Sequence, residues 1–261
     1  MPPSRFEKQP KHSPPRMPSK GPPDWRLQAW STLTKPFQSA DIGHTFPVGA
    51  DVVEYSYVKW GKRFLGIAVP NGTAIFLNLS RIAYTHATAM LHDSTKHKSR
   101  GRETVFTESG YGIDWTEQMA ASVIFAFTAL EAFANEMIPE DLVWRERGKN
   151  GEEEEYDKER IERSMPLDKK LASVLPQVLS CASPKGAKVW DSYVELRRVR
   201  HRLIHLKDRD RHGSRPDADT VWGMLVSLQP PHKTALSMID RLLKKAKKTP
   251  NWRRFYPYRD K

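Results

Sequence analysis

The chain has 261 residues, of which 38% are hydrophobic and 28% charged, with 20 prolines and a single cysteine, Cys181. One cysteine excludes an internal disulfide and a cysteine-based zinc cluster, and so polar and proline-rich a composition predicts that part of the chain does not pack. The net charge of +12 sits at the ends: residues 1–23 carry +4 and residues 241–261 carry +8, leaving residues 24–240 neutral. Such ends attract polyanions by counterion release without reading sequence, and serve equally as solubilising tails. No run of about 18 apolar residues suggests a membrane span. The Pro/Lys/Arg-rich start lacks the apolar core of a signal peptide, so a cytoplasmic protein is expected.

Residues 1–23, broken at Pro14-Pro15 and Pro22-Pro23, read as a disordered basic arm that cannot offset its ordering entropy by burial. Residues 24–113 read as an N-terminal extension. Trp25, Leu27, Trp30, Leu33 and Phe37 supply apolar anchors there without a clear period. Val53, Tyr55 and Tyr57 then alternate with Glu54 and Ser56, Lys59-Trp60-Gly61-Lys62 supplies a turn, and Phe64 to Val69 is β-compatible, which predicts a hairpin. A lone hairpin is marginal in water, so it is expected to lean on the helices that follow. Asn71-Gly72-Thr73 reads as a turn and cap, after which Ile75, Leu79, Ile82, His86 and Met90 recur at helical spacing up to His92. The Lys/Arg/Ser/Gly-rich segment from Asp93 to Gly112 reads as a loop.

Residues 114–247 read as a helical domain. Asp114 and Glu117 form a capping-box pattern ahead of a helix over Met119 to Ile138, uncharged from Gln118 to Leu130 and suited to a buried central position. On it, Glu131 and Asn135 share one face, where a carboxylate is costly unless a cation pairs with it. One of Arg197 to Arg202 is the expected partner, unless that face has already reached solvent. Gly151 to Arg163 is expected to form a solvated helix face laced with i,i+4 charge pairs. Pro166 to Leu171 opens a further amphipathic helix that Pro176 kinks or ends. Ser183-Pro184 is expected to cap the next helix, whose inner stripe is Val189, Tyr193, Leu196, Leu203 and Ile204, with Arg200 among them.

That helix ends in Arg197-Arg198-Val199-Arg200-His201-Arg202-Leu203-Ile204-His205, the densest concentration of proton-transfer and phosphate-binding groups in the chain. Imidazole exchanges protons near neutrality, and guanidinium is a permanent forked donor for phosphate oxygens. Arg200 and His205 stand about 140° apart around an ideal helix. Both reach one small ligand only if the last turn unwinds before Asp208 or if the pair flanks a cleft with a second copy. A zinc site on His201 and His205 lacks the glutamate that metalloprotease helices place after the first histidine, since Arg202 stands there. The plain structural alternative is a basic helix end favoured by the macrodipole. Asp208 to Asp217 reads as a charged loop, and Val221 to Leu228 and Thr234 to Lys247 as helices. In residues 248–261, Trp252, Arg253, Arg254, Phe255, Tyr256 and Tyr258 interleave rings with cations, a pattern that stacks on bases and grips a single-stranded backbone, or simply docks on the body. No phosphate-cradling glycine loop, metal cluster or serine elbow is present, so no cofactor or metal is expected.

Residues 114–247 resemble the HEPN superfamily. The resemblance rests on Arg200, His201 and His205, which match that family's arginine, polar residue, three residues, histidine motif late in an all-helical domain. His201 stands where asparagine is usual. Glu131 and Asn135 fall where the family's early helix carries Glu and Asn one turn apart, and Pro166 to Leu171 resembles its Leu/acid/Lys segment. The resemblance implies a mostly α, antiparallel helical bundle, here with an N-terminal extension containing a small β-hairpin. It implies a metal-independent endoribonuclease acting as a homodimer, with Arg200 on the scissile phosphate, His205 as the proton-transfer group, Arg198 in reserve and His201 in the asparagine's role. RNA is the implied partner, with Arg202, Trp252, Arg253 and Arg254 as further RNA contacts. Such proteins often serve as toxins or defence effectors beside an antitoxin or regulatory protein. The alternative is a non-catalytic HEPN scaffold that holds RNA, a nucleotide or another protein.

Overall fold

A computed structural model describes residues 24–38, 43–97, 103–148, 151–213, 215, 218–247 and 249–258. The arm expected over residues 1–23 lies outside them. The chain divides into two units, residues 1–71 with 251–261, and residues 72–250. The helix expected in the N-terminal extension therefore belongs to the helical unit.

The first unit is made of short antiparallel pairs. β1 (Trp30–Thr32) pairs with β4 (Asp51–Val53), β2 (Phe37–Gln38) with β3 (Thr45–Phe46), and β5 (Tyr55–Trp60) with β6 (Arg63–Ala68). The register of the last pair sets Trp60 opposite Arg63, leaving Gly61 and Lys62 as a two-residue loop. Gly61 sits at φ +62°, the left-handed geometry that a tight hairpin loop needs to follow the strand twist. The predicted hairpin is therefore present, but every residue of β5 and all of β6 except Ala68 is exposed.

The second unit is helical. Its central pair is α1 (Gly72–Asp93) and α2 (Ser109–Glu136), joined through β7 (Thr95–His97) and β8 (Thr104–Phe106), a strand pair where a loop was expected. The buried side of α1 is Ala74, Leu77, Ser80, Ala83 and Ala87, whereas Leu79 and His86 of the predicted stripe are exposed. Small residues win that face because α2 presents Ser122, Ala126 and Ala129 within its buried set, which allows close approach. The Ser80 hydroxyl lies 2.7 Å from the Ser122 carbonyl oxygen and the Ser122 hydroxyl 2.9 Å from that of Ser80, so neither buried group lacks a partner. α2 begins at Ser109 without a side-chain cap, five residues before the predicted Asp114 start, which places Asp114 inside the helix. By length and composition α2 could cross a membrane, but half of its apolar window is buried within the protein, as in a core helix.

The glutamate run expected on a helix instead forms β10 (Glu153–Tyr156), paired with β9 (Trp144–Arg147). Register explains it: Glu153 faces Arg147 and Glu155 faces Arg145, with a 2.6 Å ion pair in the second case, so cross-strand partners replace i,i+4 ones. α3 (Lys158–Ser164) follows, capped by Asp157. α4 (Leu167–Lys169) runs through a π-helical turn over Lys170–Val174 into α5 (Leu175–Val178). Pro176 stands just after the wider turn, and the helix runs two residues past it to Val178. α6 (Lys188–Ile204), α7 (Val221–Ser227) and α8 (Pro231–Leu243) complete the unit, with α8 packed on α1, α2 and α6. α9 (Asn251–Arg254) returns to the first unit.

The α1–α2 seam makes a stability prediction. Ser122→Ala should lower stability by about 1 kcal/mol through lost hydrogen bonds. Ser122→Leu should cost more, roughly 1–3 kcal/mol from overpacking alone. Urea midpoints measure both, and a leucine variant as stable as wild type would contradict the close seam.

Candidate functional site

α6 has no proline or glycine along its length, and its last turn carries His201 and Arg202 at the negative end of the helix dipole. It does not start at Ser183-Pro184: its cap residue is Ala187, with no side-chain bond, and Ser183 Oγ donates instead to the Ala172 carbonyl. Tyr193, Leu196, Val199 and Arg202 form its buried face. At the far end His205 leaves helical geometry (φ −121°, ψ 67°) while its N–H still donates to the His201 carbonyl at 3.0 Å. The last turn thus ends before Asp208, one of the two ways in which Arg200 and His205 could serve one ligand.

The four arginines of this stretch have four different fates. Arg197 pairs with Asp168, and exposed Arg198 lies 4.0 Å from Asp219. Arg202, expected to meet RNA, is buried with its guanidinium forked onto Asp210, Nε at 2.6 Å and Nη2 at 3.0 Å. It is a structural ion pair, and solvent or RNA reaches almost none of it. Arg200 has no carboxylate partner among the described residues. Its guanidinium instead lies 5.0 Å over the Phe127 ring of α2, which is stacked in turn against Tyr193 at 6.3 Å. It is half-buried, whereas His201 and His205 are both exposed, with ring centroids 4.7 Å apart.

Asp210 determines where the chain goes after α6. Besides Arg202 it accepts the backbone N–H groups of Lys207 and Val221, each at 2.9 Å, and its carbonyl accepts the Trp222 indole N–H at 2.9 Å. The Arg202 guanidinium and these N–H donors hold its carboxyl far below the usual carboxylate range, against the opposing effect of burial.

Asn135 on α2 takes a partner that the sequence did not suggest. Lys170, in the π-helical turn and almost fully buried, donates to Asn135 Oδ1 at 2.8 Å and to the Glu162 carbonyl at 2.9 Å. Burial lowers the pKa of Lys170, while the charge of Glu131 opposes that shift. Glu131 itself is exposed, so that face has reached solvent there, and of the two it is Asn135 that Lys170 bonds. Asp168 accepts the Tyr193 hydroxyl at 2.5 Å and pairs with Arg197, tying α4 to α6. Burial first, then the charge of Glu131, pushes the Tyr193 phenol well above its ordinary pKa, so it remains a donor. The acid and lysine of the Pro166–Leu171 segment were visible in the sequence; their partners, 25 and 35 residues away, were not.

The remaining candidates lie elsewhere. Trp252 is 1% exposed and Tyr256 4%, so the predicted stacking surface of the tail is largely docked. There Trp25 meets Tyr256 edge-on at 5.1 Å, and Arg253 and Arg254 lie 5.7 Å and 5.8 Å over the rings of Tyr256 and Phe255. A recess of about 330 Å³ beside Tyr156, Arg160 and Lys169 has its cations engaged by Glu154 and Glu146. Among the described residues no three His, Cys, Asp or Glu side chains are grouped to hold a metal ion. No protein-family model, curated protein or solved structure matches the chain.

The Asp210 latch is testable by acid titration. Its native carboxyl titrates below its unfolded value, so its stabilisation is complete above about pH 4 and fades as pH falls towards the native pKa. Asp210→Asn, which leaves the Arg202 guanidinium unneutralised, should cost about 3 kcal/mol at neutral pH. The gap from wild type should narrow below about pH 4. Thermal melts across pH check both, and a constant gap would contradict the assignment.

Proposed function

We propose that the chain is a metal-independent endoribonuclease of HEPN type, with the end of α6 as its active surface. The observation that supports this is the fate of the arginines. Arg197, Arg198 and Arg202 each face a carboxylate, whereas Arg200 rests on Phe127, and the exposed His201 and His205 follow it at the end of the same helix. A fork held by a ring and not neutralised by a carboxylate keeps its charge for an incoming phosphate.

In this mechanism Arg200 binds the non-bridging oxygens of the scissile phosphate and stabilises the charge that develops on them. One imidazole takes the proton of the 2′-hydroxyl as its oxygen bonds to phosphorus. As the bond from phosphorus to the 5′-oxygen breaks, an imidazolium gives that oxygen a proton. His205 is one of the two proton carriers, and His201, in the place of the family's usual asparagine, is the other or orients the phosphate. A homodimer would set two such helix ends across one groove. A cytoplasmic toxin or defence effector, restrained by a partner protein, is the biological role that fits this activity.

A second reading is favoured by the openness of the site. With both histidines exposed, the same face could hold RNA, a nucleotide or a protein without cleaving it.

Cleavage of mixed cellular RNA in excess EDTA should proceed with wild type. It should fall at least 100-fold in His205→Ala, consistent with the loss of a general acid or base, and by a similar factor in Arg200→Ala. His201→Asn, which restores the family's usual residue, separates orientation from proton transfer: retained cleavage assigns it the first role. Equal cleavage by wild type and His205→Ala would place the chemistry elsewhere, and RNA binding without cleavage would favour the scaffold.

A further inference from the structure

The β5–β6 hairpin presents a surface that the candidate site does not use. Its register sorts the side chains onto two faces. One face carries Tyr55, Tyr57 and Phe64 with Lys59 opposite Phe64; the other carries Val58, Leu65 and Ile67 with Trp60. The three rings of the first face are 52%, 53% and 60% exposed, unusual for large aromatic groups side by side in a folded unit. The Tyr55 and Tyr57 rings lie 6.4 Å apart with only 29° between their planes.

Gly66 explains the pose of Tyr57. A Cβ on residue 66 would stand 2.9 Å from Tyr57 Cε1 and 3.4 Å from Cδ1, so the missing side chain is what lets the ring lie across the neighbouring strand. A ring lying on the ribbon turns a face outward, not an edge. The charge of the hairpin has one sign: residues 55–68 include Lys59, Lys62 and Arg63 and no carboxylate. Of these, Lys59 shares the ring face opposite Phe64, Lys62 stands in the loop, and Arg63 lies on the other face opposite Trp60.

From this we propose that the Tyr55/Tyr57/Phe64 face is a stacking surface for the bases of single-stranded RNA, with Lys59 on that face and Lys62 in the loop following its phosphates. Aromatic faces bind any base, and cations of one sign suit a polyanion better than an aliphatic protein partner. The logic of rings interleaved with cations holds for this hairpin, whereas the C-terminal tail has spent Trp252 and Tyr256 on its own packing. The proposal rests on RNA being the ligand of the protein, but not on its being cleaved.

The test is binding of the full chain to a short fluorescein-labelled 2′-O-methyl oligouridylate, which lacks the hydroxyl needed for cleavage, at fixed salt. Tyr57→Ala and Phe64→Ala should each weaken binding about tenfold, while Tyr57→Phe and Phe64→Tyr should stay within about twofold of wild type. Parallel arms measure phosphatidylglycerol vesicle binding and self-association of the same variants. Unchanged affinity in both alanine variants overturns the proposal, as does no binding by wild type. Aromatic swaps as weak as alanine would mean that these residues only hold the hairpin together. Rings that matter only for vesicles or for self-association would also overturn it. Ring-dependent binding by a protein that never cleaves RNA supports this surface while removing the nuclease activity; cleavage with ring-independent binding does the reverse.

Discussion

The candidate site depends on one buried carboxylate. Asp210 sits just after α6 and gathers the Arg202 guanidinium and two backbone N–H groups, so the chain must turn sharply at the end of that helix and start α7 at Val221. An arginine on the inner face of a helix would otherwise be an unneutralised buried charge. Asp210 resolves that cost, and in doing so it leaves His201 and His205 on the outer surface of the last turn.

A second set of contacts fixes α6 against α2. Asp168 holds Tyr193 and Arg197, Lys170 holds Asn135, and the column of Tyr193, Phe127 and Arg200 runs between the two helices. The acid and the lysine lie on either side of the start of a π-helical turn, which offsets the helical period so that both neighbours can be reached. Function and fold therefore share residues. Arg197 and Arg202 serve the architecture, while Arg200 has no carboxylate partner among the described residues.

The legible features were those decided locally. The Tyr55–Ala68 hairpin with its glycine turn, the start of α1 at Gly72 and the basic end of α6 follow from neighbouring residues alone. What was not legible depends on partners distant in sequence. Four consecutive glutamates read equally well as a helix face or a strand until Arg145 and Arg147 are placed opposite them. The large apolar residues of α1 suggested one buried stripe, but the face that is buried is set by the small residues of α2. Arg202 and Arg200 look alike in sequence, and only Asp210 and Phe127 tell the structural arginine from the available one. Trp252 reads from sequence as either a stacking or a docked residue, and its burial decides for docking.

The central claim is that Arg200 and His205, with His201 as second proton carrier or phosphate orienter, cleave RNA by attack of its own 2′-hydroxyl. The chemistry leaves a signature in the products that the choice of variant does not affect. Cleaving a defined oligoribonucleotide in EDTA and determining the new termini by mass spectrometry tests it directly. The account predicts a 2′,3′-cyclic phosphate on one fragment and a 5′-hydroxyl on the other, with no cleavage where the 2′-hydroxyl is replaced by hydrogen. A 5′-phosphate with a 3′-hydroxyl, or cleavage of the deoxy-substituted strand, would contradict it.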